Sequence, residues 1–300
     1  MMRKKRFLAL TVLVLLSVMI FAPMANAATN ECATKYPIVL VHGAGFRDMN
    51  VILSYWGRIP AYLEDRGAKI YYGNTDGWCS IEQGAADLRD AVNRALAETK
   101  SAKVNIVAHS KGGLEARYMI STLGMADKVA SLTTIATPHH GSKAMDSVLG
   151  WPDLLLRGIG LIGDVTRRVW GDRHPDFYGG IKSLGTENMK AFNAQNPDSA
   201  GVYYQSYAGE LMAPASDLIL CWPSLLIKNV DGPNDGMVSV ESAKWTNFRG
   251  VLRGTGYRGV SHLDEVDFRR SDIAIEPLGG AANIREFYVS VVAELKQKGY

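Results

Sequence analysis

Four short runs, YPIVLV (Tyr36–Val41), AKIYY (Ala68–Tyr72), KVNIVA (Lys103–Ala108) and SLTTIA (Ser131–Ala136), are apolar at most positions and bounded by turn residues. A strand with one wet face alternates apolar and polar side chains, so runs like these belong to strands covered on both faces. Between them Ala85, Leu88, Val92, Ala95 and Leu96 recur at helical spacing, as do Leu114 and Tyr118. Near the end of the chain, Ile284, Phe287, Tyr288, Val291, Val292 and Leu295 form one apolar helix face. Strands alternating with helices predict an α/β fold: a mainly parallel central sheet with helices on both faces.

One stretch breaks the alternation. From about residue 143 to 199 no strand is evident. Leu155, Ile159, Ile162, Val165 and Val169 keep helical spacing there, while Gly158, Gly160 and Gly163 interrupt it. Each internal glycine costs roughly 0.5–1 kcal/mol relative to alanine, so such a helix needs a surface to pack on. The stretch reads as a helical cap inserted over the ligand-binding edge of a single domain spanning residues 28–300; ordinary core helices are the alternative.

Residues 1–27 read as an export signal. Arg3, Lys4, Lys5 and Arg6 precede an apolar run from Phe7 to Phe21, and Ala25-Asn26-Ala27 supplies a small-x-small cleavage site. That run is shorter than the roughly 20 residues a spanning helix needs, so the mature chain is expected to be secreted, with no transmembrane segment. Removing the signal takes the 33 basic residues to 29 against 30 acidic ones, a balance of −1. The apparent basicity belongs to the leader, and nothing suggests a nucleic-acid partner. Cys32, Cys79 and Cys221 fit no metal motif; export permits a disulfide among them, and an odd count leaves at least one free thiol.

The stretch KVNIVAHSKGGLEARYMI (Lys103–Ile120) reads as strand, tight turn, helix, with Ser110 at the tip of the turn. That is the setting of a nucleophile elbow, where flanking positions admit only small side chains. Ala108, Gly112 and Gly113 satisfy it, alanine standing where glycine is usual. A hydroxyl attacks only when a base takes its proton, and the resulting oxyanion needs fixed donors. In VLVHGAGF, Gly43 and Gly45 let the main chain come close, so that the N–H of Ala44 can join that of Lys111. His42 suits a structural role. Downstream, DGPNDGMVSVESA offers Asp231 and Asp235, and RGVSHLDEVDF offers His262. The order Ser, Asp, His supplies nucleophile, orienting acid and base. His139 and His140 precede both aspartates, His109 flanks the serine and should point away from it, and His174 falls in the cap; no pair of histidines has the helical spacing of a metal site.

Taken together, YPIVLVHGAGF, VNIVAHSKGGLEARY, TPHHGS, NDGMVSVESA and VSHLDEVD resemble the secreted bacterial triacylglycerol lipases of the α/β-hydrolase fold, from about Tyr36 to Lys298. The resemblance implies Ser110 as nucleophile, His262 as base, Ala44 and Lys111 as oxyanion donors, and Asp235 rather than Asp231 as acid, through the pattern N-D-G-x-V. It implies no cofactor for catalysis but a structural calcium held by Asp264 and Asp217, with backbone carbonyls at Phe268 and Asp272. Phe268 departs from the polar residue usual there, and Asp264 has an alternative partner in Arg269 or Arg270. Lys111 departs from the usual glutamine, methionine or histidine. The implied activity is hydrolysis of acylglycerols at a lipid–water interface. Phospholipids, polyesters or acyl transfer would use the same three residues, and a catalytically silent binding module is the reading from another class. Oligomeric state is not legible.

Overall fold

The computed structural model describes residues 30–45, 54–169 and 171–300; the expected export signal lies outside them. The four apolar runs become β1 (Ile38–Val41), β2 (Ile70–Tyr72), β3 (Val104–His109) and β4 (Val129–Ile135), each bounded within two residues of the sequence reading. Two further strands, β5 (Tyr203–Glu210) and β6 (Phe248–Arg253), complete a six-stranded sheet in the order β2-β1-β3-β4-β5-β6. Every neighbouring pair is parallel.

The continuous runs are explained by the two faces. Ile38 and Leu40 of β1, with Val107 of β3, enter one core with α1 (Ile59–Glu64) and α10 (Ile284–Gln297). Val39 and Val41, with Val104 and Ile106, enter the other with α2 (Ile81–Thr99) and α3 (Lys111–Ser121). Successive side chains of a strand point to opposite faces, so both must be apolar when both are covered. Burial of each such aliphatic side chain is worth about 1.5–3 kcal/mol.

Four helices lie between β4 and β5: α4 (Lys143–Leu149), α5 (Asp153–Val169), α6 (Phe177–Ser183) and α7 (Thr186–Gln195). The glycines that weaken α5 have a packing role. A Cβ at Gly160 would stand 2.9 Å from that of Tyr178, and one at Gly163 would stand 2.7 Å from the ring of Phe177. The first turn of α6 therefore rests on the glycine face of α5. The opposite stripe is bare: Leu155, Ile159, Ile162, Val165 and Val169 are all exposed, Ile162 by 71%. Between β5 and β6 the chain adds α8 (Cys221–Asp231) and the short α9 (Val240–Ala243). The hairpin β7 (Ala274–Leu278) and β8 (Ala281–Asn283) leads into α10. All three cysteines are free thiols; Cys32 and Cys79 are buried.

Candidate active site

β3 ends at His109 and α3 begins at Lys111, so the chain turns at Ser110 alone. Its φ of 55° and ψ of −133° lie in the region that L-residues avoid, at a cost on the order of 1–3 kcal/mol. The neighbours hold it there. Ser110 N–H donates to Ile135 O at 2.9 Å, and its carbonyl accepts from Gly113 N–H at 3.1 Å. A Cβ at Gly43 would sit 2.5 Å from Ser110 Cβ; one at Gly112 would strike the His42 carbonyl, and one at Gly113 the Thr137 side chain. Small residues at these places are a requirement of packing, and Ala108 is accommodated fully buried.

His262 and Asp235 meet Ser110 from loops beyond β6 and β5. His262 Nε2 lies 2.9 Å from Ser110 Oγ, and its Nδ1 lies 2.7 Å from Asp235 Oδ2. The other oxygen of Asp235 accepts from the N–H groups of Met237 and Val238, both at 2.8 Å. The two loops are also tied directly, His262 N–H donating to Asp235 O at 2.9 Å. Asp231 is elsewhere: at the end of α8 it accepts from Lys143 N–H at 3.0 Å. A hydroxyl, an imidazole and a carboxylate in this sequence can pass one proton from oxygen to nitrogen while the carboxylate fixes the imidazole tautomer.

Ala44 and Lys111 line one cavity with Ser110. Its volume is about 190 Å³, and Trp78, Met145, Val148, Leu226, Ile227 and Val238 make its walls apolar. The lysine side chain does not face this space. It is buried, paired with Glu115 one helical turn on and 3.6 Å from Cys79 Sγ. Burial opposes its charge, but Glu115 and the Cys79 sulfur outweigh that and raise its pKa. Lys111 is thus half of an internal ion pair under the turn, which accounts for the departure.

His42 has the structural role expected of it, Nε2 lying 3.0 Å from Thr75 O. His139 is buried between Thr134 and the stacked ring of Trp245, while His140 reaches Lys244 O. His174 lies beside Asp76. His109 makes contacts that the sequence reading did not foresee. Its ring lies 4.4 Å from that of His262, centroid to centroid. Its Nε2 is 2.8 Å from Glu265 Oε2, and its Nδ1 is 2.6 Å from Tyr55 Oη. Sequence reasoning missed Glu265 and Tyr55; the signal for Glu265 is its place three residues after His262. Burial, then the carboxylates of Asp235 and Asp264, hold Glu265 well above the usual glutamate value. Burial, then His262, holds His109 well below the usual histidine value. Both shifts favour the uncharged forms, so the contact between His109 and Glu265 favours a hydrogen bond between neutral groups over an ion pair.

The residues assigned to calcium do not fit a cation. Asp217 Oδ1 accepts from Ile219 N–H, Leu220 N–H and Arg269, and Oδ2 accepts from Arg269 at 2.5 Å. Asp264 Oδ1 accepts from Arg258 and Arg269; Oδ2 accepts from Arg258, Ser261 N–H and Ser261 Oγ. All four carboxylate oxygens already hold donors, and two guanidinium charges balance the two carboxylates. Phe268 and Asp272, expected to contribute backbone carbonyls, follow on the same loop, and the Asp272 side chain pairs with Arg58 and Arg285. Of the two arginines weighed as partners for Asp264, Arg269 is the one that meets it, with Arg258 beside it.

Comparison with known proteins gives the family. Residues 36–180 match the family described as the alpha/beta hydrolase fold. The chain is 41% identical to a triacylglycerol lipase of Burkholderia plantarii, covering 82% of this chain and 83% of that protein. It is also 41% identical to a triacylglycerol lipase of Pseudarthrobacter phenanthrenivorans, covering 80% and 91%. A metagenomic carboxyl esterase, MGS0156, superposes with a TM-score of 0.67 at 16% identity, over 93% of this chain and 80% of that one. The chain belongs to the bacterial triacylglycerol lipases of the α/β-hydrolase fold and is a carboxylic ester hydrolase.

Proposed function

We propose that the protein is a secreted lipase that hydrolyses acylglycerols at a lipid–water interface through Ser110, His262 and Asp235. The carrying observation is that the cavity at Ser110 has apolar walls supplied by α4 and α8, and that apolar residues lie bare on α8 and on α5, the cap helix that follows α4. On α5, Leu161, Ile162 and Val165 are bare; on and before α8, Leu218, Ile219 and Trp222 are bare, Leu218 by 90%. So much apolar surface facing water is unfavourable, and an oil surface would cover it.

In the proposed course, Ser110 Oγ attacks the ester carbonyl carbon while His262 Nε2 takes the hydroxyl proton. The carbonyl oxygen becomes an oxyanion facing the N–H groups of Ala44 and Lys111. Collapse breaks the C–O bond of the leaving alcohol, which receives the proton from His262 and leaves an acyl-Ser110 ester. Water then attacks that ester, giving its proton to His262, and the fatty acid departs as Ser110 recovers its proton. Asp235 holds Nδ1–H throughout and stabilises the imidazolium. The helices over residues 143–199 serve as a cap in this reading, with the α5 stripe turned toward lipid when open and toward Ser110 when closed. The leader over residues 1–27 supports export.

The test compares rates on emulsified long-chain triglyceride and on a soluble short-chain ester. Activity should rise disproportionately once the substrate exceeds its solubility limit. Simple saturation through that limit, with the soluble ester preferred, would replace the interfacial reading with that of a soluble-ester esterase.

A further inference from the structure

Arg269 lies between two buried carboxylates that come from distant parts of the chain. Asp264 stands two residues after His262, and Asp217 stands on the approach to α8. Both carboxylate side chains are 1% exposed. The guanidinium grips Asp217 with both terminal nitrogens, Nη1 to Oδ2 at 2.5 Å and Nη2 to Oδ1 at 2.9 Å. The same Nη1 lies 3.1 Å from Ser261 Oγ and 3.3 Å from Asp264 Oδ1.

A buried carboxylate without a partner is costly, and two side by side repel, so a positive group between them is a condition of the fold. A divalent ion is one solution, and it requires oxygens free to coordinate. Here the oxygens are taken. A dication added beside Arg269 and Arg258 would meet two positive charges and donors rather than lone pairs. Arginine also does something an ion does not. Its fork is planar and covalently part of the His262 loop, so its two-pronged grip on Asp217 fixes direction as well as distance.

We infer that Arg269 takes the place of a structural metal ion in this protein, pinning the loop that carries His262 to the segment that leads into α8. Arg269 is a positioning residue, acting on the chemistry only through His262. The consequence is a lipase whose folded site owes nothing to calcium.

Thermal melts and kinetics of the full enzyme test this. The wild-type Tm should be the same in EDTA, in metal-free buffer and in millimolar calcium, and metal analysis of the purified protein should find no stoichiometric calcium. Arg269→Gln should lower Tm by roughly 5 °C or more, the size expected for loss of a buried ionic bridge in a chain this long. It should also make the protein calcium-responsive, because Asp217 Oδ2 loses the Arg269 donor and Asp264 Oδ1 keeps only Arg258; binding to the folded state alone then raises Tm. A merely structural arginine would not exchange for an ion in this way. On a soluble ester, Arg269→Gln should lower kcat several-fold with little change in KM, and calcium should restore part of it. Should that variant fail to fold, Arg269→Lys replaces it: the charge remains, the fork is lost, and Tm should fall. Chelation that lowers the wild-type Tm, or calcium found in the purified protein, overturns the inference. So does an Arg269→Gln variant that melts like wild type or that calcium does not stabilise. The kinetic arm rests on the role proposed for His262; the melting and metal arms do not, so failure of one reading is distinguishable from failure of the other.

Discussion

The loop around His262 and the outer faces of the helices α5 and α8 are built on opposite terms. In the loop, carboxylates are buried and held: Asp235 holds His262 and two backbone N–H groups, and Asp264 holds two arginines and Ser261. On the helices, apolar groups are exposed, from Leu154 and Ile162 to Trp222 and Leu226. Each condition is unfavourable unless something compensates it. For the loop the compensation is internal, since Asp235 and Asp264 have their partners within the chain. For the helices it must come from outside, from whatever surface covers them. Bond-making needs atoms held to fractions of an ångström, whereas contact with a lipid surface needs area and tolerates movement.

The largest expected effect removes the nucleophile and leaves both regions standing. Ser110→Ala should melt near the wild-type temperature and lose on the order of 10⁶-fold in kcat, because groups acting as one unit fail together. A fluorophosphonate should label the wild type and leave the variant unlabelled. Labelling that persists would place the nucleophile elsewhere.

Next in size is the acid. Asp235→Asn should lower kcat by about 10⁴-fold, as the equivalent change does in serine proteases, by disturbing the tautomer of His262. Asp231→Asn should change kcat little, since that carboxylate meets Lys143 at the far end of α8. A reversed pair of results would show that the buried loop is not the catalytic half of the comparison.

A third change acts on the exposed half. Ile162→Ser with Val165→Ser, on the bare stripe of α5, should leave turnover of a soluble ester within about twofold. Hydrolysis of emulsified triglyceride should fall roughly tenfold or more, because burial of such side chains in lipid is worth about 1.5–3 kcal/mol each. Equal losses on both substrates would mean that the stripe supports the cavity rather than meeting a surface.

The same division decides what the sequence made legible. β1 to β4 could be read because both sheet faces are covered, so apolarity had no gaps. Ser110 and His262 could be placed because the tight turn admits few residue types and the other histidines fall in the wrong order or place, whereas the residues alone left Asp231 and Asp235 open and only the family resemblance chose Asp235. The strand β5 was not read: YYQSYAGE mixes Gln205 and Ser206, which are buried but bonded to Thr133 and to Trp245 O, among apolar neighbours. α8 was missed because its outward face is as apolar as its inward one, which blurs the period. The role of Arg269 was open because a carboxylate two residues after His262 is equally compatible with an ion or an arginine. What separates them is Asp217, brought beside it from 52 residues away, and nothing local in the sequence records that approach.

The smallest effect concerns the buried pair behind His262. Glu265 keeps its proton in the folded protein, because burial and then the Asp235 and Asp264 carboxylates raise its pKa. In the unfolded chain a glutamate releases it above about pH 4.3. Between that value and the raised one the folded state binds more protons than the unfolded state, so stability falls as pH rises. Glu265 therefore contributes fully below the window and loses its contribution as pH climbs through it. His109 has the opposite sign: its pKa is depressed by burial and then by His262, so its contribution is present above about pH 6.5 and is lost as pH falls. Glu265→Gln can still hydrogen-bond His109 Nε2 through its amide but has no proton to lose. The variant should match wild type near pH 5 and be more stable by roughly 2–4 °C near pH 8, about 1 kcal/mol in a chain this long. Melting curves of the two proteins across that range decide it. If both fall with the same slope, Glu265 is ionised in the folded state, and the buried half of the site balances its charges through a His109 imidazolium instead of through two neutral groups.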